Sequence, residues 1–460
     1  MEFIGRKKEL SMLEGLYARD GPSTALVYGR RRIGKTFLLE RFCEGKRHLF
    51  IRPVLASERI NLEYLSEAVS EHVGSEMGPY ANYRKFLSDL GEICRDEKTV
   101  VVIDEFPYLT GGCPELSSYL QHFIDGTLRR TESMLILCGS SISAMRSEFA
   151  DSGTPLFGRF DRTIELTQMP LGECRLFHPN MSEIDCLRLY MTVGGVPKYH
   201  AEIRQDTYED ALMENYLGGG WMADEAGFLL ASEFGNPRRH ADVVSAVSGG
   251  AVRLKEISER VGMDPSNCQR VIHDLLGIGI LGTVNPMMDA PKRPTYFIKD
   301  HMFAFDQDIL KRRRTLVSSM DGGGAVRALD HHLRTYFGHR FELVCMDHLS
   351  RSRNVLEIGK WWRGGADGHA EIDIVATVLE DGLKYDVFGE CKFRETPVGF
   401  AELDELDMKT QRFSKNANVR LMLFSASGFK DHLRGIADDA GVKLVGLDEL
   451  FGRKAPDGLR

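Results

Sequence analysis

Residues 24–37 read Thr-Ala-Leu-Val-Tyr-Gly-Arg-Arg-Arg-Ile-Gly-Lys-Thr-Phe, and their reading decides the fold. Thr24 to Tyr28 is a short apolar run with strand character. It breaks at Gly29, and Gly34 follows directly before Lys35 and Thr36. A helical stretch, Phe37 to Phe42, comes next. Strand, then G-x-x-x-x-G-K-[ST], then helix is the context in which this spacing wraps a triphosphate. Glycines let backbone N–H groups approach phosphate oxygens, and the helix N-terminus adds a positive dipole end. Gly29, Arg30, Arg31, Arg32, Ile33, Gly34, Lys35, Thr36 and Phe37 are therefore the expected nucleotide-binding stretch. Lys35 would reach the β- and γ-phosphates of ATP, and the Thr36 hydroxyl would hold Mg²⁺.

Working outward, Val100-Val-Val-Ile103 is a run of β-branched residues that implies a strand buried on both faces of a parallel sheet. Asp104 and Glu105 stand at its C-terminal end, where open α/β sheets bind ligands. Asp104 would hold Mg²⁺, and Glu105 would polarise an attacking water, so hydrolysis rather than binding alone is expected. Residues 47–55 read as another strand and 58–93 as helices. Met134 to Cys138 is a further buried strand leading into Gly139-Ser140-Ser141. A polar residue there would lie between the two motifs, so Ser140 is a candidate γ-phosphate sensor, against the alternative of a plain turn. Arg159 in Pro155-Leu-Phe-Gly-Arg159 is a candidate arginine finger, acting on its own or a neighbouring subunit's nucleotide, or an ordinary surface arginine.

Composition sets outer limits. A chain of 460 residues suits about two to four domains. Its 43% hydrophobic and 27% charged residues are those of a water-soluble globular protein. A net charge of −8 excludes an overall basic coat but not a local basic surface. Nine cysteines without a C-x-x-C pair suggest neither a zinc ribbon nor a disulfide framework, and reduced thiols in the cytoplasm are expected. No apolar run has the length of a membrane span or the form of a signal peptide, so no membrane partner is expected.

Phe3-Ile-Gly5-Arg6, with Glu9-Leu10 after it, resembles the F-x-G-R-x-x-E-L box of AAA+ and STAND-type ATPases, which covers the adenine side of the nucleotide. Gly194-Gly-Val-Pro197 resembles the glycine–proline motif by which the helical lid of STAND-type ATPases touches adenine. With the motifs above, residues 1–235 resemble the archaeal-type ATPase family, on the border of the STAND and AAA+ P-loop classes. That resemblance implies ATP and Mg²⁺ as cofactors, a possible homo-oligomer, adenine-side roles for Gly5, Arg6 and Pro197, and often a winged helix and a restriction-nuclease-like domain behind the ATPase. The expected fold is α/β: a P-loop NTPase parallel sheet over 1–170 with a helical lid over 171–235, then a winged helix-turn-helix over 236–314, then an α/β restriction-endonuclease-like domain over 315–460.

The residues of the later segments carry their own argument. Leu254 to Val261 reads as a helix ended by Gly262; Asp264 and Pro265 are good N-cap and first-turn residues for the next one. Val271, Ile272, Leu275 and Leu276 would face a core, leaving Asn267, Gln269, Arg270 and His273 outward as in a recognition helix. Ile280–Val284 and Thr295–Ile298 would be wing strands joined through Lys292-Arg293-Pro294. Over 238–314 thirteen Lys and Arg oppose nine Asp and Glu, a net +4 that favours phosphate contact and makes DNA a possible partner.

Further on, residues 370–379 and 384–393 alternate around Asp381-Gly382, a hairpin signal. A two-residue loop there sets Asp373 opposite Glu390 and Glu371 opposite Lys392. Facing carboxylates repel, and a divalent cation, Mg²⁺ or Mn²⁺, between them would convert that cost into binding. The pattern resembles the PD-(D/E)xK nuclease core, with Asp373 as its acid, Glu390-Cys391-Lys392 as its E-x-K and Glu342 as a further acid on the preceding helix. Two functions follow as expectations: an ATPase coupled to metal-dependent DNA cleavage, or an ATP-dependent regulatory switch working through oligomerisation or a protein partner, with the nuclease-like site inert.

Overall fold

The computed structural model describes residues 3–217, 219–284, 287, 295–315, 322–352, 354–365, 368–413, 418–437 and 439–453. Lys292-Arg293-Pro294, expected to join two wing strands, lies outside these residues. The chain divides into two compact units, Met1–Met169 with Val196–Lys198, and Pro170–Gly195 with Tyr199–Arg460. Among the described residues no helix is long and apolar enough to cross a membrane.

The first unit is built on a five-stranded sheet in the order β2-β3-β4-β1-β5, all neighbours parallel. Its strands are β1 Ser23–Tyr28, β2 His48–Ile51, β3 Val100–Ile103, β4 Met134–Gly139 and β5 Arg162–Glu165. Every residue of β3 and β4 is buried, as their unbroken apolar runs require when helices cover both faces. β4 lies between β1 and β3, so the Ser140 position falls between the two motifs, as expected. The second strand is shorter than 47–55, and the 58–93 stretch forms two helices, Glu58–Val73 and Tyr83–Asp96. Gly74 separates them in a left-handed conformation that ends the first.

The second unit carries helices Pro237–Ser248, Leu254–Val261 and Pro265–Gly277, then the antiparallel pair β6 Leu281–Val284 and β7 Thr295–Ile298. Gly262 caps the middle helix at φ 65°. The Asp264 carboxylate accepts from the Asn267 N–H and starts the next one. Val271, Ile272 and Leu275 are buried, and Asn267, Gln269, Arg270 and His273 are exposed.

Behind them helix Gly322–Ser350 leads to a mixed sheet in the order β12-β11-β10-β9-β8. These strands are β8 Val355–Gly365, β9 Gly368–Glu380, β10 Leu383–Lys392, β11 Val419–Ser425 and β12 Val442–Val445. β8, β9 and β10 meet antiparallel, while β10, β11 and β12 run parallel. Asp381 and Gly382 turn the hairpin with φ of 49° and 78°, the paired positive angles of a two-residue loop that matches strand twist.

The face of Ile374, Ala376, Val378 and Val387 is buried, as the alternation predicts. Ile372, expected on that face, packs instead with Val375, because β9 shifts register against β8 between these two residues. Val375 and Phe388 on the other face are buried too, in a cluster with Leu403 and Leu406 of helix Phe400–Phe413. The sheet is therefore covered on both sides; Glu390 is buried and Asp373 half-buried, while Glu371 stays exposed.

Candidate functional site

The nucleotide site is assembled at the C-terminal ends of β1, β3 and β4. Gly34 has φ 91° and Arg32 φ 68°, so the loop turns its amides inward as an anion-binding nest. Gly29 is required for a nearer reason than phosphate access: a Cβ there would lie 2.4 Å from the Leu166 carbonyl oxygen. Lys35 is 6% exposed, and its ammonium donates to the carbonyls of Gly29 at 2.9 Å and Arg30 at 3.2 Å. The Thr36 hydroxyl donates to Asp104 Oδ2 at 2.6 Å. Asp104 Oδ1 is buried with no hydrogen-bond partner among the described residues. A hydroxyl beside a carboxylate with an oxygen to spare is a donor set that fits Mg²⁺.

Glu105 has φ 58°, a left-handed conformation that costs a non-glycine residue about 1 kcal/mol or more and marks functional positions. Its Oε2 accepts from the Ser140 amide at 2.9 Å and the Ser140 hydroxyl at 2.8 Å. Ser140 thus holds Glu105 in place. Arg31 reaches the Tyr108 hydroxyl at 3.1 Å.

Gly5 and Arg6 are both left-handed, at φ 71° and 55°. This turn aims the Arg6 guanidinium at the carbonyls of Ile33 at 3.2 Å and Thr167 at 2.6 Å. Phe3 and Phe37 lie ring to ring at 5.6 Å, and a Cβ on Gly34 would sit 3.8 Å from Pro197 Cγ. The N-terminal box, the loop and Pro197 therefore meet around one point.

Arg159 goes elsewhere. Its carbonyl accepts from the Thr24 hydroxyl at 3.0 Å, which fixes it at the start of β1, while its guanidinium pairs with Asp125 at 3.1 Å. The phosphate loop leaves the other end of β1, roughly 16 Å away at ~3.3 Å per residue. Arg159 does not serve its own chain's phosphates, because the parallel strand separates the two ends.

In the second unit, carboxylate oxygens of Glu342, Glu371 and Asp373 lie within 4.8 Å of one another. Glu342 comes from helix Gly322–Ser350 and the other two from β9. Burial, then the nearby carboxylates of Glu390 and Glu342, raise the Asp373 carboxyl to about 7. One hydrogen bond opposes this, from the Cys391 N–H at 2.9 Å. The Lys360 ammonium pairs with Glu342 and lies 3.7 Å from Glu371. Glu390, 6% exposed, is drawn to lysines: Lys392 at 2.7 Å and Lys409 at 3.6 Å. Burial would lower the Lys392 ammonium's pKa, but its bond to Glu390 holds it above the ordinary lysine value, so Lys392 stands as a cation.

The register corrects one expectation. β9 and β10 pair as predicted from Glu380–Leu383 to Ile374–Gly389, and among the described residues the ladder ends there. Among the described residues neither Asp373 with Glu390 nor Glu371 with Lys392 is a ladder pair. The Asp373 carboxylate accepts from the Cys391 amide, and on its other edge Glu371 pairs with Trp362 of β8, after a register shift between Gly359 and Trp361.

A profile described as an ATPase domain predominantly from Archaea matches residues 3–203. Those residues belong to that archaeal-type ATPase family. A second profile, described as archaeal and bacterial proteins of unknown function, matches residues 308–409. The uncharacterized protein MJECL04 of Methanocaldococcus jannaschii is 26% identical over 408 residues, 85% of this chain and 88% of that one. The uncharacterized ATP-binding protein MJ0423 of the same organism is 42% identical over 45 residues, 10% of this chain and 76% of that one. The Walker-type ATPase PABY2304 of Pyrococcus abyssi matches with a TM-score of 0.52 at 17% identity, over 67% of this chain and 96% of that one. At that identity the likeness is one of fold alone.

Within this archaeal-type ATPase the sequence located Lys35, Thr36, Asp104 and Glu105, which the fold brings together. It also named Glu342 and Asp373, which meet, and Glu390 and Lys392, which pair beside them. It missed Lys360, because β8 carries no turn signal linking it to the hairpin. The sequence leaves open whether Lys409 or Gln411 joins the site, and the structure sets Lys409 3.6 Å from Glu390.

Proposed function

We propose that ATP hydrolysis in the archaeal-type ATPase domain controls a DNA-directed module, made of a winged helix over 236–314 and a metal-dependent nuclease-like domain over 315–460. The observation that carries it is the meeting of Glu342 from the long helix with Glu371 and Asp373 of β9 within 4.8 Å, beside cationic Lys392. Three acids brought together at a cost to Asp373 are a site for a divalent cation. Such a cation supplies charge to the scissile phosphate and to its attacking water. Lys392 stabilises negative charge developing on the phosphate, since its raised pKa keeps its proton. Lys409 and Lys392 together fix Glu390.

In the ATPase domain Thr36 and Asp104 would hold Mg²⁺, which neutralises charge on the β- and γ-phosphates. Lys35 adds a buried positive charge at the loop, and Glu105, fixed by Ser140, orients the attacking water. Gly5, Arg6, Phe37 and Pro197 frame the adenine side. Arg159 would act only on a neighbouring chain's nucleotide, which calls for a homo-oligomer. Exposed Asn267, Gln269, Arg270 and His273 on a segment of net +4 support DNA contact by the winged helix.

A second reading, a regulatory switch with an inert nuclease-like site, is favoured by one feature: Lys360 and Lys392 already pair with Glu342 and Glu390. The two readings part on a DNA cleavage assay with Mg²⁺ or Mn²⁺. The first requires cleavage that Asp373→Asn abolishes; the second gives none, and an oligomer whose size follows the bound nucleotide.

A further inference from the structure

A cleft of about 1010 Å³ within the second unit is lined by β7, by helix Gly322–Ser350 and by Lys360 and Trp362 of β8. Its lining includes Glu342 and Glu371, so it opens onto the carboxylate cluster. The exposed residues of helix Pro265–Gly277 take no part in it. The walls are tied to one another. Arg340, buried on the long helix, donates to the carbonyls of Ile298 at 2.8 Å and Lys299 at 2.7 Å. The Met287 amide donates to the Lys360 carbonyl at 3.0 Å. The long helix and the end of β7, two walls of the cleft, are thus held to each other.

Its chemistry is mixed in a particular way. Tyr296 and Trp362 offer half-buried rings, and Arg253 and Arg313 offer cations. Arg313 keeps a buried Nε without a hydrogen-bond partner among the described residues. Rings for bases, cations for phosphates and carboxylates for a metal are the parts of a single-strand path. The volume suits a few nucleotides and is far too small for a duplex.

We propose that this cleft receives a short single-stranded end of a nucleic acid, stacks its bases on Tyr296 and Trp362, holds its phosphates with Arg253 and Arg313, and delivers it to the Glu342–Glu371–Asp373 cluster. The delivery step rests on the nuclease reading above; capture of the strand does not.

The test uses the full chain, a short fluorescein-labelled oligothymidine and a blunt hairpin duplex, with Ca²⁺ present. Fluorescence anisotropy should show the single strand bound in preference to the blunt duplex. Binding should weaken about tenfold in Tyr296→Ala and in Trp362→Leu, while Trp362→Phe, which keeps a ring, stays near wild type. On the unaltered protein, an oligonucleotide carrying 5-iodouracil should photocrosslink to the peptides of Tyr296 or Trp362.

Crosslinks confined to helix Pro265–Gly277, preference for the blunt duplex, or binding indifferent to both rings overturns the proposal. The two ideas fail separately. A strand captured in the cleft but cut with no cation removes the nuclease reading and keeps this one. Asp373-dependent cutting of duplex with an empty cleft does the reverse.

Discussion

Replacing Thr36 with valine tests the nucleotide site at its most economical point. Valine keeps the shape but removes the hydroxyl that donates to Asp104 Oδ2 at 2.6 Å. Asp104 is 5% exposed, and its Oδ1 already lacks a partner among the described residues. Taking a donor from a buried carboxylate costs about 2 kcal/mol, within the ~1–3 kcal/mol of a lost buried hydrogen bond. For a unit of this size that lowers Tm by about 4–8 °C. The second effect is on ligand. ATP at about a hundredfold over its Kd stabilises the wild type by ~2.7 kcal/mol. In Thr36→Val the Mg²⁺-dependent part of that stabilisation should disappear. Thr36→Ser should restore both.

The assay is a thermal melt of each protein alone, with ATP, and with ATP and Mg²⁺. A Thr36→Val protein that melts with the wild type and gains equally from Mg²⁺ would refute the argument that Thr36 and Asp104 form a metal-binding pair.

Glu105→Gln should keep ATP affinity and lose hydrolysis by about a hundredfold or more, as measured by phosphate release. Ser140→Ala should lower kcat with little change in ATP affinity, because Ser140 acts through Glu105. Arg159→Ala should leave ATP binding intact and lower hydrolysis only in an oligomer; mixing it with Glu105→Gln protein should restore part of the activity if Arg159 reaches a neighbour. The buried pair His178 and His200 gives a pH prediction. His200 Nε2 donates to the Gly194 carbonyl at 2.8 Å, so its Nδ1 accepts from His178 Nε2 at 2.9 Å, and both rings are neutral. Burial pushes His178 to about 4 and His200 to about 3. Between these values and 6.5 the unfolded chain binds more protons, so stability rises with pH across that window and is lost as pH falls through it. Denaturant melts of the second unit from pH 4 to 7 should show the rise, and the double His→Gln variant a flatter line.

Much of the first unit is legible because each motif is local. A strand, six loop residues and a lysine read the same in any context, and four β-branched residues ending in Asp104-Glu105 can only be a buried strand with its acids at one end. Arg159 is different. Its distance in sequence from the phosphate loop carries no information about which end of β1 it meets. In the second unit the Asp381-Gly382 turn set the hairpin register correctly as far as Ile374 and Gly389. Among the described residues the ladder stops there, and Asp373 captures the Cys391 amide, a side-chain event that alternation does not record. Lys360 and Lys409 reach the acids through β8 and helix Phe400–Phe413, whose places depend on long-range packing. The His178–His200 pair was likewise invisible, since the two rings come from distant points in the chain.

In the proposed function one chain joins an ATPase to a metal-dependent nucleic-acid site. Cleavage of plasmid, linear and single-stranded DNA with Mg²⁺ or Mn²⁺, with and without ATP, tests it beside Lys35→Ala and Asp373→Asn proteins. Cleavage lost in Asp373→Asn, and made indifferent to ATP in Lys35→Ala, is the predicted result. ATP hydrolysis with no cleavage under any of these conditions would contradict it.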